Sequence, residues 1–70
     1  MAQVLVDGRT IQVSDDAVEI LARDLRYILL VECGNDSGEK LRFVKCLLRD
    51  RPDPTEKIAL ERIRKELEAS

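Results

Sequence analysis

The sequence predicts a small α+β domain in which an N-terminal β-hairpin is followed by three α-helices, an order written ββααα. Three features indicate this fold: an Asp-Gly pair between two β-branched runs, a long segment with apolar residues at helical spacing, and a proline-flanked break before a last helical segment. The chain has 70 residues, enough for one domain over residues 1–70 but with a small core.

The hairpin is predicted for residues 2–13, where Asp7 and Gly8 separate the two β-branched runs. Asp-Gly favours a type I′ turn, in which both central residues have positive φ. A two-residue turn sets Val6 opposite Arg9 and fixes the register, because a slip of one residue would move the apolar face to solvent. That face consists of Ala2, Val4, Val6, Arg9, Ile11 and Val13, and we expect it to pack on helices.

A first helix is predicted for residues 15–33. Ser14 can cap its N-terminus, and Gly34 can end it because glycine adopts the left-handed conformation common at that position. Helical spacing divides the apolar residues into two stripes on opposite sides. The inner stripe consists of Val18, Leu21, Ala22, Leu25, Ile28 and Leu29, and the outer stripe of Ile20, Tyr27 and Val31.

An alternative fold ends this helix near Arg26 and forms a strand from the apolar run that begins at Tyr27. The order of elements is then ββαββα, with a second hairpin at 27–48. A short apolar run fits a strand or a buried helix, so periodicity alone leaves both folds open.

Two further helices are predicted for residues 37–49 and 54–68. Asp36 can begin the first of them through a capping box, and Asp53 can cap the second ahead of Pro54. The last helix carries charged residues four apart, which we expect to form weak ion pairs along it. Its apolar seam has the 4-then-3 spacing of a short coiled coil and consists of Leu60, Ile63 and Leu67.

The composition gives no support for several kinds of site. The chain has no histidine, and its two cysteines, Cys33 and Cys46, are neither clustered nor in a CxxC pair, so we expect no metal, no cofactor and two small buried thiols. The N-terminal segment has no basic region followed by an apolar stretch, and no apolar run approaches the roughly 18 residues of a membrane span. A cytoplasmic location away from the membrane is therefore expected.

A glycine-rich segment at 33–40, CGNDSGEK, invites comparison with a phosphate-binding loop. Such a loop needs four residues between its glycines and then Lys with Ser or Thr, whereas three residues separate Gly34 from Gly38 and Glu39 follows. We interpret the segment as a helix–helix connection. The acids Asp15, Asp16 and Glu19 are interpreted as partners of the helix dipole, and no nucleophile–base group or small-molecule site is evident, so the chain is not predicted to be an enzyme.

More apolar helix surface is present than a chain of this length is expected to bury unaided, which favours association with a partner. We predict a non-enzymatic interaction module, either a homodimer or a subunit or regulator that docks to another protein, as is typical of small bacterial and phage regulators. The alternative is that both apolar stripes pack inside one monomer. The predicted protein interface consists of Ile20, Tyr27, Val31, Leu60, Ile63 and Leu67.

A second functional interpretation is a nucleic-acid-binding regulatory protein. Arg42, Lys45 and Arg49 recur at positions i, i+3 and i+7 of the second predicted helix, with Lys40 and Arg51 nearby. Such a stripe could contact phosphates or an acidic partner. The plain alternative is a solvated face opposite a buried one. The net charge of −2 provides no general attraction to nucleic acid.

Overall fold

The computed structural model of the protein describes residues 2–69 and has the predicted ββααα order. The hairpin comes first, and three helices follow it with short connections between them. The elements are β1 (Ala2–Val6), β2 (Arg9–Val13), α1 (Asp15–Cys33), α2 (Ser37–Arg49) and α3 (Pro54–Ala69). These bounds confirm the predicted hairpin and helices to within one residue.

The two strands pair antiparallel in the predicted register, with Ala2 opposite Val13 and Val6 opposite Arg9. Asp7 and Gly8 both have positive φ, at 51° and 77°, as the hairpin turn requires. The turn therefore sets which face of the ribbon is apolar, and that face packs on α3.

Helix α1 continues without a break through the segment that could have formed a strand. Ser14 Oγ accepts a hydrogen bond from the N–H of Ala17 at 3.4 Å, and the N–H of Gly34 donates to the Leu30 carbonyl at 2.9 Å. The alternative ββαββα fold is therefore wrong. The physical reason is that Ala22, Leu25 and Leu29 are all buried. Their separations of three and four residues place them on one side of a helix, whereas a three-residue step along a strand would turn the side chain to the opposite face.

Side-chain caps begin the other two helices as predicted. Asp36 Oδ1 accepts from the N–H of Glu39 at 3.1 Å, and Asp53 Oδ1 accepts from the N–H of Glu56 at 2.9 Å. Each cap satisfies a backbone donor that has no partner within its helix. The chain reverses between α2 and α3 through Arg51, whose φ is 55°.

Helix α3 is the central element, because it packs against α1, α2 and both strands. One buried cluster joins all these elements and includes Val13 and Val18, which flank the start of α1 as a hydrophobic staple. The buried core consists of Val13, Val18, Ala22, Leu25, Leu29, Val44, Ala59, Leu60 and Ile63.

The α3 seam lies inside the chain, which corrects part of the predicted interface. Leu60 is 0% exposed and Ile63 is 2% exposed, and Leu67 is half-buried against the same core. Because α3 has neighbours on several sides, its seam is covered without a partner. Leu60 and Ile63 are therefore unavailable to another molecule while the chain is folded.

The charged residues of α3 pair across helices more than along their own. Arg62 donates to Glu19 on α1 at 3.1 Å, and Glu66 accepts two hydrogen bonds from Arg26 on α1 at 2.5 and 3.2 Å. The expected pair of Arg62 with Glu66 is thus replaced by bridges between helices. α1 and α3 run in the same direction, so that Glu19 and Arg26 on α1 meet Arg62 and Glu66 on α3 in the same order. Spacing along one helix cannot reveal this arrangement.

Candidate protein-docking face

Most of the exposed large apolar side chains of residues 2–69 lie on α1, and the outer stripe is part of this set. Ile20, Tyr27 and Val31 are 63%, 69% and 63% exposed. They project from the side of α1 opposite the residues that face α3. The structure therefore places these three sequence-predicted residues together on one face, open to solvent.

Two neighbours widen this face beyond the residues that the sequence identified. Ile28 is 44% exposed and Leu30 is 49% exposed. Ile28 was predicted to face inward, but it lies at the edge of the inner stripe, where α1 has no close neighbour to cover it. Leu30 follows Tyr27 by three residues, and this spacing was the signal that could have added it. We call Ile20, Tyr27, Ile28, Leu30 and Val31 the α1 face.

A shallow hollow of about 490 Å³ lies at the middle of the α1 face. Arg23 and Asp24 form one half of its lining, and Tyr27 and Ile28 form the other. A charged pair beside an aromatic ring and an aliphatic side chain gives the hollow both polar and apolar groups, a combination suited to a protein side chain.

The predicted basic stripe on α2 is partly assembled. Arg42, Lys45 and Arg49 are exposed along that helix. Lys40 is half-buried and lines a separate hollow of about 190 Å³ between α1 and α3, together with Glu66 and Leu67. Arg51 has left the helical path, and its side chain does not continue the α2 row.

Several basic residues of α1 and α3, although not all of them, have carboxylate partners. Arg26, Arg62 and Arg64 all form ion pairs with carboxylates, and the hydrogen bonds that Arg26 donates to Glu66 raise the pKa of Arg26 above its usual value. Within residues 2–69, no ion pair joins a carboxylate to Arg42, Lys45 or Arg49.

The cysteines do not occupy the positions expected of buried thiols. Cys33 is half-buried, but Cys46 is exposed, and both are free. They line the same open hollow of about 280 Å³ between the end of α1 and α2, together with Glu32, Glu39, Arg42 and Phe43. The prediction of burial is therefore wrong for Cys46, because the hollow on its side of α2 is open to solvent.

The acids at the start of α1 have structural partners. Glu19 and Asp15 both lie near Arg62, at 3.1 and 3.9 Å. In the described residues, 2–69, no group of three or more His, Cys, Asp or Glu side chains is arranged to hold a metal ion. The Asp36 carboxylate caps the N-terminus of α2 by accepting a hydrogen bond from the N–H of Glu39, and Gly34 ends α1. The glycine-rich segment therefore connects two helices.

Comparison with models of protein families, with curated proteins and with solved structures yields no match for this chain. Over residues 2–69, none of the helices combines the length and the apolar character needed to cross a bilayer.

Proposed function

We propose that this chain is a non-enzymatic protein-interaction module that docks through the α1 face to a second copy of itself or to another protein. The observation that carries the proposal is the exposure of Ile20, Tyr27 and Val31, each above 60%. In contrast, Leu60 and Ile63 of the α3 seam are buried. Monomeric proteins rarely leave a large contiguous apolar patch open to water. A partner that covers this face would remove it from water, a favourable change of about 25 cal/mol per Å².

Tyr27 is well suited to anchor such a contact. It is the most exposed large apolar side chain of the described residues, at 69%. Tyrosine supplies a large contact area with few rotatable bonds, and its hydroxyl can bond at the rim of an interface. For these reasons tyrosine is frequent among the residues that contribute most to protein association.

The use of the charged residues supports a binding role rather than catalysis. Asp36 and Asp53 cap helices, while Glu19 and Glu66 bridge α1 to α3. Each of these carboxylates therefore already has a structural task. The proposal places the chain in the cytoplasm, and the free state of Cys33 and Cys46 supports such a reducing location.

The test is quantitative capture of partners by immobilised chain, with labelled chain itself added to the source lysate. We expect the Tyr27→Asp variant to lose a partner that the wild type retains, because a charge would enter the centre of the apolar face. Leu5→Asp is the matched control, since Leu5 is 64% exposed but lies on the hairpin. Retention of the same proteins by all three chains, or of none by the wild type, would refute the proposal.

A second candidate function, nucleic-acid binding, is favoured by one observation. Arg42, Lys45 and Arg49 lie exposed in one row on α2 and form no ion pair within residues 2–69, whereas Arg26 and Arg62 are paired. Basic side chains that are not neutralised by neighbouring carboxylates can replace the counterions of a phosphate backbone.

The salt dependence of binding tests this second candidate. Each phosphate contact should contribute about −0.9 to the slope of log affinity against log salt for duplex DNA. We expect Arg42→Glu/Lys45→Glu to reduce the magnitude of that slope by about 2 if both residues contact phosphate. Arg23→Glu is a control on α1. Binding that is unchanged in the α2 variant would exclude the basic row as the site.

A further inference from the structure

Three residues of the α1 face and Asp24 beside them have the spacing along α1 that is typical of paired helices. Ile20, Asp24, Tyr27 and Val31 are separated by four, three and four residues, which is the spacing of the inward positions in a coiled coil. All four are exposed. The helix that carries them has 19 residues, or about 28 Å of length, so they form a continuous seam along most of it.

We propose that the partner of this face is a second copy of the chain, whose α1 lies antiparallel across it. This proposal rests on the docking role proposed above and names its occupant. A two-fold axis between Leu25 and Arg26 places Ile20 against the partner's Val31 and Tyr27 against the partner's Asp24. Each contact then occurs twice, as the symmetry of a homodimer requires.

The pair of Asp24 and Tyr27 at the middle of α1 supports this register. Both residues are exposed and line the same open part of the helix surface. The proposed axis sets each Asp24 opposite the partner's Tyr27, so that the tyrosine hydroxyl can donate a hydrogen bond to the partner's carboxylate. The seam is therefore complementary to itself in the antiparallel arrangement.

The same seam disfavours the parallel arrangement. Parallel helices in register would set Asp24 against the partner's Asp24, and two carboxylates that lose water together repel each other. In the antiparallel arrangement, Asp24 has a donor opposite it. A single polar residue in an otherwise apolar seam can fix the register of paired helices in this way.

The residues beyond the seam allow the two helices to approach closely. Continuing the spacing adds Ala17 at one end and Gly34 at the other, and both are exposed. The proposed axis sets Ala17 against the partner's Gly34, so neither end carries a bulky side chain. Ile28 and Leu30, at the two edges of the seam, are covered in the same contact.

Sedimentation equilibrium from low micromolar to millimolar concentration tests the proposal. Two variants are compared, and each replaces the same two apolar residues with two charged ones. Ile20→Glu/Val31→Glu puts like charges opposite each other and should raise the dissociation constant at least about 100-fold. Ile20→Lys/Val31→Glu puts opposite charges in contact only if the helices are antiparallel, and should associate at least about tenfold more tightly than the first variant. Leu5→Glu on the hairpin is the control and should dimerise like the wild type.

Three results would overturn the inference: a monomeric wild type throughout, a dimer that Ile20→Glu/Val31→Glu leaves intact, or equal dissociation of the two charged variants. The replaced side chains are 63% exposed, and helical circular dichroism checks that each variant is folded. A monomeric wild type that still captures a different protein through Tyr27 would refute the second copy as occupant while leaving the docking role in place.

Discussion

The α3 seam and the outer stripe of α1 are similar in sequence, but the fold buries one and exposes the other. Both are short apolar rows on charged helices, and both were predicted to form an interface. Ile63 is 2% exposed and Ile20 is 63% exposed. The difference follows from the position of each helix, since α3 packs against α1, α2 and both strands, while α1 is covered on one side only.

The largest difference in stability is expected between alanine variants of Ile63 and Ile20. Ile63→Ala should lower the free energy of unfolding by about 2–5 kcal/mol, because it removes buried methyl groups and leaves a cavity. Ile20→Ala should change it by no more than about 0.5 kcal/mol. Urea denaturation at low protein concentration, where association does not contribute, measures both. Equal losses for the two variants would contradict the assignment of the two rows to core and surface.

A smaller contrast is expected between two leucines of intermediate position. Leu67 is half-buried against the core at the end of α3, and Leu30 is 49% exposed on α1. Leu67→Ala should cost about 1–2 kcal/mol of stability, below the range for fully buried leucines because only part of the side chain is covered.

Leu30→Ala is the control for that measurement and should be close to neutral in the monomer. Thermal unfolding of both variants at matched concentration gives the comparison. A loss for Leu67→Ala as large as that for Ile63→Ala would mean that the whole α3 seam is equally buried in solution.

The smallest effect is expected for the bridge between the two helices. The side chains of Arg26 and Glu66 are 44% and 55% exposed, so water screens them and their coupling should be only about 0.2–1 kcal/mol. A double-mutant cycle with Arg26→Gln and Glu66→Gln measures it, with the Arg64→Gln and Glu61→Gln pair on α3 alone as the reference. A coupling of several kcal/mol would contradict this placement at the surface.

The pH dependence of this bridge has a definite sign. The hydrogen bonds that Arg26 donates to Glu66 raise the pKa of Arg26, so its contribution to stability is fully present below the unfolded pKa and is lost only as pH rises through the folded pKa. That window is strongly alkaline. Titration of Arg26 should therefore not alter the bridge between neutral and mildly alkaline pH, which the same double-mutant cycle can check.

Local features of the fold could be predicted because each depends on neighbours in sequence. Asp7 and Gly8 set the hairpin register through their own φ angles, and Asp36 and Asp53 cap helices through groups three residues away. These interactions are fixed by a few consecutive residues, so spacing and residue type are sufficient to identify them.

The candidate site was only partly predictable, because burial depends on how helices are arranged in space. The outer stripe was identified, but Leu60 and Ile63 were assigned to the same interface, and Ile28 was assigned to the core. Periodicity shows which residues share a side of a helix but not how many other elements cover that side. The exposure of Cys46 and the bridge from Arg26 to Glu66 depend on helix packing in the same way.

The central place of α3 also constrains when the chain can fold. This helix is the last of the described elements to be synthesised, yet the hairpin and both earlier helices meet upon it. A nascent chain that ends before residue 54 lacks α3, the helix against which the hairpin, α1 and α2 all pack. Stable structure should therefore form only after α3 has been synthesised, and until then the apolar sides of the growing chain remain open to chaperones and to aggregation.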